Sequence, residues 1–191
     1  MLQISQHPDD SKAYRLQAEQ FLPLPREELF DFFGDAFNLE KLTPGWMNFS
    51  VLTPPPIEMH AGQLIDYKLR IRGVPLRWRT KITAWEPPYR FVDEQVRGPY
   101  SRWVHEHRFS EEDGGTLCQD HVNYAPRGGT LINWLFVGRD VRRIFDYRRE
   151  RMRRIFDAPQ RNIPELPRSN NNDTQPPTGP LSSAALRNPR R

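Results

Sequence analysis

Residues 128–156 read GGTLINWLFVGRDVRRIFDYRRERMRRIF, and this stretch decides the fold. Gly128-Gly129 interrupts what precedes it. Beyond it Leu131, Trp134, Leu135, Gly138, Val141, Ile144, Phe145, Met152, Ile155 and Phe156 recur mostly three and four residues apart, with arginines between them. That period predicts one amphipathic helix over 131–156. Roughly 25 residues at about 1.5 Å each make it nearly 40 Å long. A single apolar stripe of that length needs a concave surface to lie on, and a curved sheet supplies one.

The sheet is legible upstream. A first strand is expected at 13–22, and from Trp46 onward strand follows strand at 46–53, 62–72, 75–86, 89–97, 102–110 and 115–125, each bounded by proline or glycine. The turns at Arg72-Gly73, Pro87-Pro88 and Asp113-Gly114 are short, so neighbours must run antiparallel. Alternation is clean where Ile65, Tyr67, Leu69 and Ile71 oppose Leu64, Asp66, Lys68 and Arg70. Between the first strand and this meander, Pro25 opens a short helix with Glu27 and Glu28 at its positive end, and Asp35 can cap a second. The reading is α+β: a seven-stranded curved antiparallel sheet around a long C-terminal helix, with two short helices after the first strand. Residues 1–12 read as an N-terminal extension and 13–157 as the domain. Residues 158–191, rich in Pro, Asn, Ser, Thr and Arg with little to bury, read as a disordered tail.

Hydrophobic residues make up only 37% of the 191, but 12% of the chain is aromatic, so a core can be built from few large side chains. Met1 to Lys12 is polar and no apolar run reaches about 18 residues, which argues against a signal peptide and against membrane insertion. The single cysteine, Cys118, fits a reducing compartment, and a cytoplasmic location is expected. A net charge of +4 raises the question of nucleic acid. The densest arginines, Arg139 to Arg154, are interleaved with Asp140, Asp146 and Glu150, the pattern of a solvated helix face, and no nucleic-acid partner is expected.

Several motifs point further. Phe32-Phe33-Gly34-Asp35, Leu42-Thr43-Pro44-Gly45-Trp46, Arg72-Gly73-Val74-Pro75, Trp85-Glu86-Pro87-Pro88, Phe91-Val92-Asp93-Glu94-Gln95, Trp103-Val104-His105-Glu106-His107 and Ile144-Phe145-Asp146-Tyr147-Arg148 resemble a bacterial branch of the SRPBCC/START-like superfamily. That superfamily holds polyketide cyclases, START-type lipid carriers and birch-pollen-allergen-like proteins on the helix-grip fold. The resemblance covers about 14–157 and implies an internal cavity for an apolar small molecule. It also implies possible association with a sugar-nucleotide epimerase-like protein as partner, although the chain itself has no Gly-x-Gly-x-x-Gly fingerprint. A fold of this kind implies a cavity rather than a reaction.

Polar residues pointing inward are therefore the informative ones. Alternation over 102–110 puts Trp103, His105, His107 and Phe109 on one face, opposite Arg102, Glu106 and Arg108. The two histidines are candidates either for structural hydrogen bonding or for a ligand-facing polar patch. His-x-His can also hold a metal if Asp93 or Asp120 adds a ligand, but the spacing does not demand it, and neither metal nor cofactor is assigned. Asp93 and Gln95 share a face whose direction the pattern leaves open. Arg148 falls inside the helix stripe, either as a partner for Asp93 or snorkelling at its edge. Tyr67, Trp78, Tyr100, Trp103 and Tyr124 would give flat walls to a ring-bearing ligand. Ligand binding or carriage is the leading expectation; the rivals are a cyclase- or dehydratase-type enzyme in which His105 or His107 works with Asp93, and a regulatory interaction module.

Overall fold

The structure is a computed structural model, and it describes residues 1–156; the tail read at 158–191 lies outside them. In chain order the elements are β1 (Leu2–His7), β2 (Asp10–Leu22), α1 (Arg26–Gly34), α2 (Asn38–Leu42), a 3-10 turn (Gly45–Met47), β3 (Ser50–Val51), β4 (Leu64–Ile71), β5 (Val74–Glu86), β6 (Arg90–Arg97), β7 (Tyr100–Glu112) and β8 (Gly115–Pro126). A helix then runs through α3 (Gly129–Ile132), a π turn (Asn133–Val137) and α4 (Gly138–Phe156).

All pairings are antiparallel in one sheet of order β1-β2-β8-β7-β6-β5-β4-β3. The long strand β2 pairs with β8, the last strand, which carries the sheet from the N-terminal to the C-terminal half of the domain. Two-residue turns set the register, most clearly Arg72-Gly73, where both residues have positive φ (51° and 82°). Such a pair matches the right-handed strand twist, and the second position favours glycine.

Among the described residues the strand count is eight, not seven. Leu2–His7, read as part of an extension, pairs with β2 from Leu2↔Ala18 to His7↔Asp10, and Leu2 and Ile4 pack against the cluster of Leu16, Val122 and Tyr124. At the other edge, the strand expected at 46–53 shrinks to Ser50–Val51, because Gly45–Met47 winds into a 3-10 turn ended by Asn48 at φ 42°. Met47 is thereby buried and Trp46 turned outward, where it stacks under Arg143.

The inner sheet face is continuous. In β8, Thr116, Cys118, Asp120, Val122 and Tyr124 are buried and alternate with half-exposed neighbours. α4 lies across this face: Val141 and Phe145 pack with Leu16 and Val122, Met152 with Phe91 and Phe109, and Ile144 with Ile65 and Ile82. One helix thus touches both halves of the sheet, so the sheet curves around it. Each fully buried Leu, Val or Met contributes about 1.5–3 kcal/mol relative to exposure.

The helix departs from its expected stripe at the N-terminal end. Leu131 and Trp134 are 63% and 69% exposed rather than facing the sheet. The π turn explains this. It fits one extra residue into the helix, and one residue is about 100° of rotation, so Leu131 before it and Trp134 within it are turned off the face that Val141, Phe145 and Met152 occupy.

Candidate functional site

Between the sheet and α4 the packing is incomplete, leaving a cavity of about 180 Å³. Tyr67, Trp78, Tyr100 and Trp103 stand in its lining. Trp78, Tyr100 and Trp103 form a mutually contacting set, with centroids 4.8–5.6 Å apart. Asp93, His105, His107 and Arg148 form a polar cluster in the lining, which also holds Asp35, Asn38, Thr43 and Thr80. Two expected residues are not in the lining. Gln95 turns back on its own hairpin, its Nε2 donating to the Tyr100 carbonyl at 2.9 Å and its Oε1 accepting from the Tyr100 N–H at 3.3 Å. Tyr124 is fully buried behind Tyr100 and stacks on Tyr14.

Strand register builds the polar wall. Asp93 on β6 is level with His105 on β7, and His107 is level with Asp120 on β8. Because residues two apart share a strand face, all four side chains project inward from three adjacent strands. This settles the direction of β6: Phe91 and Asp93 face in. Phe91 stacks on His107 at 4.1 Å and 20°, and the two imidazoles lie 3.8 Å apart at 37°.

Two carboxylates hold the histidines from opposite ends. Asp120 Oδ1 is 2.9 Å from both His105 Nε2 and His107 Nδ1. Asp93 Oδ2 is 3.3 Å from His107 Nε2 and 3.5 Å from His105 Nδ1. Arg148 reaches in from α4, its guanidinium 5.0 Å over the Phe33 ring, with one nitrogen 3.6 Å from Asp120 Oδ1 and 3.5 Å from His107 Nδ1. His105, His107, Asp120 and Arg148 are all buried. Only the Asp93 side chain, 19% exposed, retains appreciable access.

Electrostatics sort the protons. Burial opposes the charge on Asp120, but Arg148 and the bonds from His105 and His107 overcome it and hold its carboxyl well below the usual range. Burial, reinforced by the neighbouring His107 ring, pushes His105 down and favours the neutral ring, although the bond to Asp120 acts the other way. An ionised Asp120 only accepts, so His105 Nε2 carries the ring hydrogen in the 2.9 Å bond to it, while His107 has Nε2 3.3 Å from Asp93 Oδ2 and Nδ1 2.9 Å from Asp120 Oδ1 and 3.5 Å from Arg148. His105 Nδ1 then turns a lone pair toward Asp93. Burial likewise raises the Cys118 thiol well above its ordinary value, so it is a packing residue rather than a nucleophile.

Sequence reasoning placed Asp120 only as a possible metal ligand. The signal for more was present: a carboxylate in phase with Cys118, Val122 and Tyr124 on the inner face of an expected strand needs a buried partner.

An open antiparallel sheet gripping a long C-terminal helix around an internal cavity is the helix-grip architecture. The chain belongs to the polyketide cyclase / dehydrase and lipid transport family, whose sequence profile matches residues 22–155. Solved structures share the fold. A protein of Mycobacterium smegmatis is 16% identical over 81% of this chain and 97% of its own, with a TM-score of 0.58. A protein of Chromobacterium violaceum is 10% identical over 76% and 98%, with a TM-score of 0.61. The di-domain ARO/CYC protein StfQ from the steffimycin biosynthetic pathway is 11% identical over 76% of this chain and 49% of its own, with a TM-score of 0.57. No curated protein sequence matches the chain. Among the described residues, no helix is long and apolar enough to cross a membrane.

Proposed function

We propose that this protein binds an apolar, ring-bearing small molecule in the cavity between the sheet and α4. The observation that carries the reading is the cavity itself: space of about 180 Å³ walled by Tyr67, Trp78, Tyr100 and Trp103, with the Asp93–His105–His107–Arg148 cluster in its lining. A cavity of about 150 Å³ takes one benzene ring, so the enclosed part of the ligand is one ring or a small fused pair. Aromatic walls favour a flat ligand by stacking and edge contacts. The Asp93–His105–His107 cluster gives such a ligand one place to direct an oxygen, which is how apolar pockets fix orientation.

The test is native mass spectrometry of the purified chain, followed by fluorescence titration with a naphthol probe. A small aromatic mass or saturable probe binding is expected, and Ile144→Trp, which projects bulk from α4 into the cavity, should abolish it while the melting temperature stays close to wild type. Absence of any bound molecule and of probe binding in the unmodified protein would overturn the reading.

A second reading, a cyclase- or dehydratase-type enzyme, is favoured by one observation. Two carboxylates and two imidazoles in contact at a cavity wall form the kind of group that moves protons at a carbonyl-bearing ligand. Under this reading Asp93, the accessible member, meets the substrate, and Asp93→Asn cuts turnover by about a hundredfold or more with substrate affinity nearly unchanged. Retained turnover in that variant would remove the enzyme reading.

A further inference from the structure

His105 Nδ1, His107 Nε2 and Asp93 Oδ2 converge on one another at the cavity wall. Their ligand atoms all lie within 4.8 Å of each other. Lone pairs facing a carboxylate repel unless a cation sits among them.

We infer that Asp93, His105 and His107 form a three-ligand site for a divalent transition metal on the cavity wall, with Asp120 as the outer carboxylate that orients both imidazoles. The spacing fits an ion. Asp93 Oδ2 stands 3.3 and 3.5 Å from the two nitrogens, against 2.9 Å on the Asp120 side. Two ligands held at about 2.0–2.1 Å on a tetrahedral ion are separated by about 3.3–3.4 Å, so the observed gaps are those of first-sphere neighbours. A ligating histidine commonly donates its other N–H to a carboxylate, which fixes the tautomer and raises the ligand's basicity; here one oxygen of Asp120 serves both rings.

The donor set selects the metal class. Two imidazoles and one carboxylate suit Zn²⁺, Fe²⁺, Co²⁺ or Ni²⁺, whereas Mg²⁺ and Ca²⁺ prefer all-oxygen sites and Cu⁺ prefers thiolate. Three protein ligands leave a coordination position free, and the residues around it are those of the cavity. An oxygen of the cavity's occupant, such as a phenolate, enolate or carboxylate, would fill that position.

The competing occupant is a single proton shared by the same three atoms, and metal titration separates the two. The full chain, stripped with a chelator, is titrated at pH 7.5 with Co²⁺ followed by visible absorption and with Zn²⁺ followed by calorimetry. One ion per chain is expected, with Co²⁺ bands of four- or five-coordinate intensity. Asp93→Asn, isosteric and the least buried change, should weaken binding by about 100-fold, and Asp120→Asn by about 10–100-fold, as loss of an outer-shell partner does. Circular dichroism identifies variants that fold. Absence of stoichiometric binding overturns the proposal, as does binding that Asp93→Asn and the double change His105→Ala/His107→Ala leave unchanged, which would place the ion on the surface histidines. Neither result bears on whether the cavity takes an apolar ligand, because the naphthol titration reads that separately.

Discussion

Arg148 on α4 holds a guanidinium nitrogen 3.6 Å from Asp120 Oδ1 on β8, with both side chains less than a tenth exposed. It is the ion pair that joins the helix to the sheet inside the fold, and it sits directly behind the two histidines. Breaking a buried pair strands the surviving charge. Arg148→Met should therefore cost about 3–5 kcal/mol in urea unfolding. Arg148→Met/Asp120→Leu should recover a large share of that loss, since replacing both charges with apolar groups removes the desolvation penalty. A single variant as stable as wild type would show that Asp120 is not ionised.

Removing residues 1–8 tests the edge strand. β1 covers the hydrogen-bonding edge of β2, and Leu2 and Ile4 pack on the Leu16 cluster. The shortened protein should fold but lose about 2 kcal/mol, the worth of burying one or two aliphatic side chains. It should also self-associate more readily through the newly bared edge. An unchanged denaturation midpoint would show that β1 is not docked in solution.

Gly115 and Gly45 form a contrasting pair. A Cβ at Gly115 would overlap the Leu22 carbonyl oxygen across the β2–β8 pairing, whereas one at Gly45 meets nothing within 4 Å. Gly115→Ala should destabilise by about 2 kcal/mol or more, because backbone must shift. Gly45→Ala should stay within about 0.5 kcal/mol of wild type. Thermal melts of the two variants decide it.

Three buried phenols make the protein alkali-sensitive. Burial raises the pKa values of Tyr67, Tyr100 and Tyr124, and Tyr124 is pushed up to about 12. Their stabilising effect is complete below the ordinary phenol value of about 10 and is lost as pH rises through the raised values, because the unfolded chain releases these protons first. Unfolding free energy should fall above pH 10, by up to about 1.4 kcal/mol per pH unit for each tyrosine. Urea titrations at pH 9, 10 and 11, with absorbance at the phenolate band, measure it; a flat profile would contradict the burial of these rings.

The legible parts of the fold were those in which side-chain period alone carries the information. β4, β5, β7 and β8 announce themselves by alternation, and α4 by its stripe. β1 was not legible because only Leu2 and Ile4 are apolar in a polar segment, and what makes them a strand is the β2 edge they land on. Trp46 and Met47 look like strand residues, but Pro44 and Gly45 before them and the left-handed Asn48 after them favour a turn. At the site, alternation brought His105 and His107 to one face, while the inward direction of Asp93 had to wait for the β6–β7 register, which no local pattern encodes. Gln95 shares that face, yet its side chain is taken by the turn it precedes.

The π turn at Asn133–Val137 gives the long helix a slipped phase. Everything after it, including Val141, Phe145, Arg148 and Met152, is locked to the sheet by burial; everything before it is oriented separately, by Gly128 and Gly129, whose φ values of 94° and 68° set the chain's exit from β8. The helix therefore consists of two coaxial parts set at different angles. Leu131 and Trp134 point away from the cavity wall, which leaves that outer surface free to vary while the chemistry inside keeps its alignment.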